Sequence, residues 1–185
     1  GTSIAWFERD DEGRPLAPEQ WREYCLASVT THDLPPTAGY LASEHIKLQH
    51  ELGLLTESLA TELANAERER SAFLVALRER GFLTAYPATT EDLVEAMHRY
   101  LVATPARVLC AALTDAVGDR RTQNQPGTST EYPNWQIPLS GPDGKPLSLE
   151  DLYHNERAFR LAGIMNGFSG PLRMPRSEIE LVVQS

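Results

Sequence analysis

The sequence predicts an α/β protein in which parallel strands are joined by helical crossovers. Three observations carry that prediction. Short β-branched and apolar runs are separated by long stretches of helical periodicity. The run "ARVLCAALTDAVG", residues 106–118, is of the kind buried on both faces in parallel sheets. The order along the chain is strand, strand, helices, strand, long loop, helix, with no internal repeat. At 185 residues the chain is long enough to bury a real core, and 41% hydrophobic with 23% charged residues is the composition of a folded domain.

Taken in order, "SIAWFE" (residues 3–8) reads as a strand and "RDDEGRPLAP" as the turn after it. A second strand, roughly residues 25–31, is stopped by Pro35 and Pro36, because proline cannot donate to a ladder and holds its predecessor extended. His32 and Asp33 therefore fall at that strand's C-terminal end. "TAGYLASEHIKLQHELGLL" predicts a helix ending near Gly53. Leu59, Leu63, Ala66, Phe73, Leu74 and Leu77 recur at helical spacing, predicting a longer helix over about residues 56–80 that stops at Gly81. Thr89 with Asp92, and Ser148 with Asp151, are capping boxes; the first opens a helix closing before Pro105, the second a helix through residue 163. Between them lie the strand over 106–118 and a loop rich in Gly, Pro, Asn and Ser. A helix is assigned after Pro175.

A formal charge of -9 argues against a nucleic-acid surface, which would need a clustered basic face. No stretch approaches 18 uninterrupted apolar residues, so no membrane span is expected. Cys25 and Cys110 both lie in apolar runs and read as buried, reduced thiols of a cytoplasmic protein. The chain opens without Met, inside what reads as a strand, as expected of a piece of something longer or of a chain relieved of a tag.

The adjacent His32 and Asp33 have a structural reading, since an Asp before a proline turn often caps backbone amides. Their position favours chemistry, because polar residues beyond the C-terminal ends of parallel strands face the working cleft of α/β folds. A metal-dependent phosphohydrolase is the alternative suggested by a His-Asp pair. His45 and His50 are five apart, however, and point to different sides of a helix, while His98 and His154 read as surface residues. No metal or other cofactor is expected. The stretch "TQNQPGTSTEYPNWQIPL", residues 122–139, suits carbohydrate. Gly127 permits a tight turn, Asn124 and Asn134 can both donate to and accept from hydroxyls, and Tyr132 and Trp135 offer apolar faces for pyranose rings. Taken alone, the stretch fits an ordinary Pro/Gly loop pinned by a Trp better.

"SVTTHDLPPTAGYL", then a helical insert, then "VLCAALTDAVGDRRTQNQPGTSTEYPNW", together resemble the C-terminal part of the amylomaltases. These are the 4-α-glucanotransferases of glycoside hydrolase family 77. The resemblance covers roughly residues 1–140 by motif and implies a cytoplasmic enzyme of maltodextrin and glycogen metabolism built on a (β/α)8 barrel. Such an enzyme transfers α-1,4-glucan segments between maltooligosaccharides by a retaining double displacement. The chain would supply about strands six to eight of the barrel. Residues 1–36 would carry strands six and seven with the His-Asp motif, 37–104 a helical insertion, 105–147 strand eight with a substrate-site loop, and 148–185 a C-terminal helix and tail.

By the same resemblance, Asp33 matches the carboxylate that stabilises the transition state, and His32 a histidine bonded to the reacting sugar. Asn124, Pro126 and Gly127 match a loop bordering the donor site; Asp115 and Trp135 match positions read as structural. Gln136 departs from the pattern, standing where many members have a basic residue, and Pro35 with Pro36 replaces a single proline. The nucleophile and acid/base, which retaining chemistry holds about 5–5.5 Å apart, are matched by neither Glu8 nor Asp10. The chain alone is thus expected to be inactive, to be mostly helical, and to self-associate through exposed strand edges. A non-catalytic helical interaction module that keeps the family sequence is the second alternative.

Overall fold

A computed structural model describes residues 1–167; the helix assigned after Pro175 lies outside the described residues. The fold is α/β, with three short parallel strands, β1 (Thr2–Ile4), β2 (Leu26–Ser28) and β3 (Val108–Cys110), in the order β1-β2-β3. Thr2 pairs with Leu26, and Leu26 with Val108, so all three strands end at the same edge. The connections emerging from that edge are therefore neighbours in space. Between β2 and β3 run α1 (Thr37–Leu41), α2 (Glu44–Glu51), α3 (Leu59–Glu79) and α4 (Thr90–Val102). After β3 come α5 (Leu113–Val117), α6 (Leu149–Tyr153) and α7 (Glu156–Met165), so helix far outweighs strand among the described residues.

Several elements differ from expectation, each for a local reason. The strand predicted over 3–8 stops at Ile4, because Phe7 N and Glu8 N both donate to Ile4 O (2.9 and 3.2 Å) and close a turn. That turn sends Trp6 into the core and leaves Phe7 out. The single helix expected from residue 37 is broken at Ser43, which adopts φ 56. A carbonyl at the break is recovered by Arg70, whose Nη1 donates to Leu41 O (2.8 Å). The helix expected from 149 to 163 likewise divides, because Asn155 acts as a new N-cap and accepts from Ala158 N (3.1 Å).

The apolar run 106–118 is strand only over β3; from Leu113 it becomes α5, which buries Asp115 and Val117. A continuous apolar run carries no period, so sequence could not separate the two. Nor is β3 buried on both faces: Val108 and Cys110 are exposed, which corrects the expectation of two buried cysteines and leaves Cys25 alone buried. Among the described residues no strand lies beyond β1 or β3.

The expected helix signals otherwise hold. Ser58 caps α3 by accepting from Thr61 N, and Gly81 at φ +75 follows its end. Both capping boxes are formed in full. The core gathers around α4, whose Val94, Met97, Tyr100 and Leu101 pack with Trp21, Val29, Phe73 and Leu77. Leu16 O accepts from both Tyr100 Oη (2.6 Å) and Trp21 Nε1 (3.0 Å), tying the loop after β1 to α4. Trp6 stacks on Tyr40 with ring centroids 3.9 Å apart and meets Phe73 edge-on, joining the end of β1 to α1 and α3.

Candidate active site

The His-Asp motif is held out from the sheet edge by the residues that flank it. Beyond β2, Thr30 Oγ1 donates to Pro35 O (2.8 Å) and Leu34 N to Thr31 O (3.2 Å). This closes a turn with His32 and Asp33 exposed at its tip. Pro35 and Pro36 are buried behind it, and Thr37 starts α1. Thr37 N and Thr37 Oγ1 each donate to the Asp115 carboxylate (both 2.6 Å), so α5 fixes the far end of the turn.

His98 lies beside this anchor. Contrary to the expected surface position it is fully buried, with Nδ1 against Val94 O (2.8 Å) and Nε2 3.7 Å from Asp115 Oδ2. The signal was present in the sequence: Val94, Met97, His98 and Leu101 share one face of α4. Burial pushes the Asp115 carboxyl above its ordinary pKa, while His98 and the two Thr37 donors pull the other way. Asp115 thus acts by holding both the backbone and the hydroxyl of Thr37.

The second half of the site comes from the loop after β3. Asn124 Nδ2 donates to Asp33 Oδ1 (2.6 Å), and His32 Nε2 lies 3.2 Å from Asp33 Oδ2. Asp33 is therefore engaged on both oxygens yet remains open to solvent. The Trp135 ring sits 5.6 Å from that of His32. Pro126 and Gly127 lie exposed further along the loop, where a Cβ on Gly127 would come within 3.9 Å of Leu54. At φ +86 Gly127 takes a conformation costly for other residues, as the tight turn required. Neither residue is bonded to Asp33.

Internal amide contacts give the loop its shape. Asn134 Oδ1 accepts from Gln125 N (2.7 Å), Asn134 Nδ2 donates to Thr128 Oγ1 (2.8 Å), and Tyr132 Oη donates to Thr122 O (2.6 Å). Two of the residues expected to meet sugar, Asn134 and Tyr132, are thus spent on the loop itself. The loop's base is closed by Asp119, which takes a bidentate pair from Arg121 (3.1 and 2.9 Å) and a bond from Ser140 N (2.9 Å). Asp119 is fully buried, which the loop composition of "GDRRTQN" does not signal.

Glu8 and Asp10 are occupied elsewhere: Glu8 pairs with Arg22 at 3.6 Å, and Asp10 accepts from Arg14 and Glu12 within its own turn. Among the described residues no group of three or more His, Cys, Asp or Glu converges as metal ligands. A cavity of about 320 Å³ lies between α4 and α7, lined by Thr89, Glu91, Arg120 and Arg157, and it includes none of His32, Asp33, Asn124 or Trp135.

Parallel strands that deliver a carboxylate, an imidazole and an amide to their common C-terminal edge define an α/β protein with its polar site at the strand ends. The chain belongs to the 4-alpha-glucanotransferase family, glycoside hydrolase family 77, whose model matches residues 1–143. It is 57% identical over 168 residues to the 4-alpha-glucanotransferase of Mycobacterium tuberculosis, covering 88% of this chain and 23% of that protein. Its structure matches the crystal structure of amylomaltase from Corynebacterium glutamicum with a TM-score of 0.82 at 39% identity, over 89% of this chain and 25% of that one. Amylomaltase from Streptococcus agalactiae, solved in complex with acarbose, shares the fold (TM-score 0.57) at 18% identity, over 93% of this chain and 28% of that one. The chain spans about a quarter of the length of the curated relatives it matches.

Proposed function

We propose that this chain is the C-terminal portion of a cytoplasmic 4-α-glucanotransferase that moves α-1,4-glucan segments between maltooligosaccharides. Its three strands are barrel strands six to eight, α1 to α4 form the helical insertion, and Asp33 is the carboxylate that stabilises the transition state. His32 and Asn124 bind the reacting sugar; Pro126 and Gly127 border the donor site. One observation carries this reading. Asn124 and Asp33, 91 residues apart, are joined at 2.6 Å at the C-terminal edge of the sheet, so the two motif stretches form one site.

The chemistry follows from that site. Breaking an α-1,4 bond with retention builds positive charge on the anomeric carbon and ring oxygen. A carboxylate fixed by Asn124 and His32 meets that charge without having to reorganise, and it favours the transition state over the ground state. Asn124 donates to Asp33 through one amide hydrogen, which leaves its second N–H and its carbonyl free for sugar hydroxyls. A nucleophile and an acid/base, whose parts Glu8 and Asp10 do not play, come from the remainder of the enzyme.

The test has two arms. Maltotriose incubated with the purified chain is expected to yield neither glucose nor longer maltodextrins; robust transfer would overturn the assignment of a partial site. Calorimetry with a maltooligosaccharide or acarbose is expected to show binding that Asp33→Ala abolishes. Binding untouched by that change would remove Asp33 from the site.

A further inference from the structure

Two readings of Trp135 compete, an apolar face for a sugar ring and the structural position that the family resemblance implies, and its surroundings do not fit the second. The chain has three tryptophans; Trp6 and Trp21 are 3% and 4% exposed, whereas Trp135 is 63% exposed. A Trp that pins a loop buries its indole, and this one does not. Its backbone sits at φ 63, in the left-handed region disfavoured for a bulky side chain. Such a conformation persists only where the surroundings over-determine it.

Here they do. Trp135 N donates to Gln123 O (2.9 Å), and the neighbouring Asn134 side chain is held by Gln125 and Thr128. Gln136 N donates to Pro133 O (3.1 Å), so the backbone is fixed on both sides of the indole. The result is an exposed aromatic ring whose centroid stands 5.6 Å from the His32 ring, tilted by 41°. Tyr132 is half-buried, its hydroxyl tethered to Thr122 O (2.6 Å), and so offers less ring face than the exposed Trp135.

We propose that Trp135 is a stacking platform for a pyranose ring of the glucan, one that sets binding strength and sugar specificity beside His32 and Asp33. The proposal rests on the reading of that pair as glucan ligands. An indole face presents apolar surface to the C–H face of a pyranose, while its edge leaves the ring hydroxyls to the polar groups next to it. His32, Asp33 and Asn124 supply those polar groups. The loop therefore joins the two things a sugar needs, a flat apolar surface and fixed donors and acceptors.

Trp135 is also the tryptophan a soluble quencher can reach, which makes the test direct. Iodide quenching of the purified chain is measured with and without maltohexaose, alongside calorimetry on Trp135→Gly, Trp135→Phe and Asp33→Ala. Glycine suits the positive φ, so Trp135→Gly is expected to keep its melting temperature. It should nevertheless bind maltohexaose about tenfold more weakly, a loss of about 1.4 kcal/mol. Trp135→Phe keeps a ring and should stay within about threefold of the original affinity. Maltohexaose is expected to shield the quenchable tryptophan at the concentrations where heat is released. Binding that is lost in Asp33→Ala but leaves Trp135 open to iodide, or a Trp135→Gly variant of unchanged affinity, would overturn this inference and leave the reading of Asp33 standing. A chain that binds no maltohexaose would remove both.

Discussion

Asn124 and Asp33 stand 91 residues apart in sequence and 2.6 Å apart in space, and the residues that allow this do no chemistry themselves. Gly39 is the clearest. A Cβ there would lie 2.1 Å from Arg120 O, so α1 can rest on the segment leading to the loop that carries Asn124 only with hydrogen at that position. Gly39→Ala is expected to destabilise the fold by about 2–3 kcal/mol, through overpacking that must push α1 off residues 119–121. It should also weaken sugar binding, read by chemical denaturation and calorimetry on one preparation. His45 offers a second residue-level prediction. Its ring stacks on Tyr40 (4.7 Å, 10°), and burial pulls its pKa from 6.5 down to about 4, against a smaller opposing effect of Glu69. The unfolded chain therefore binds a proton that the folded chain refuses between those two values. Stability is full above pH 6.5 and is lost as the pH falls toward 4, by roughly 2–3 kcal/mol. His45→Phe keeps the stack and should flatten that part of the stability–pH curve.

At the scale of elements, α4 matters most, because it contributes to the core on one face and to the Asp115 anchor through His98. Its N-terminus is closed by Thr89 and Asp92, with Thr89 N donating to Asp92 Oδ2 (2.8 Å) and Asp92 N to Thr89 Oγ1 (3.1 Å). Thr89→Ala is expected to cost about 1 kcal/mol, measurable as a lower denaturation midpoint with an unchanged slope. Asp92→Asn should lose less, since its amide oxygen can still accept from Thr89 N. Ion pairs from Arg157 and Arg160 to Glu91, and from Arg160 to Glu95, tie α7 to the same helix. These pairs are partly exposed and add little stability of their own, so α7 is held chiefly by Leu161 and Ile164. The α-helical elements were largely legible from capping boxes and helical spacing. What escaped was how they divide, because the left-handed backbone at Ser43 and the second N-cap at Asn155 interrupt a helical pattern whose periodicity continues through both.

For the whole molecule, the exposed strands carry the consequence. β1 and β3 each have one edge without a strand beyond it among the described residues, and Leu26 and Val108 are exposed. The chain on its own is expected to self-associate through these edges, seen as a light-scattering mass that rises with protein concentration. A constant monomer mass across that range would show that the three-residue strands are too short to template pairing. No helix among the described residues is long and apolar enough to cross a membrane.

By itself the sequence determined the α/β class, the parallel order of strands and helices, both capping boxes and the His-Asp pair at a strand end. Each of these is a local matter: periodicity, proline stops and caps act within a few residues. Only the tertiary structure decided that Asn124 bonds to Asp33, that His98 and Asp119 are buried anchors, that Cys110 is exposed, and that Trp135 rather than Tyr132 faces outward. These facts depend on which distant segment fills the space beside a residue, and chain-local chemistry does not carry that information.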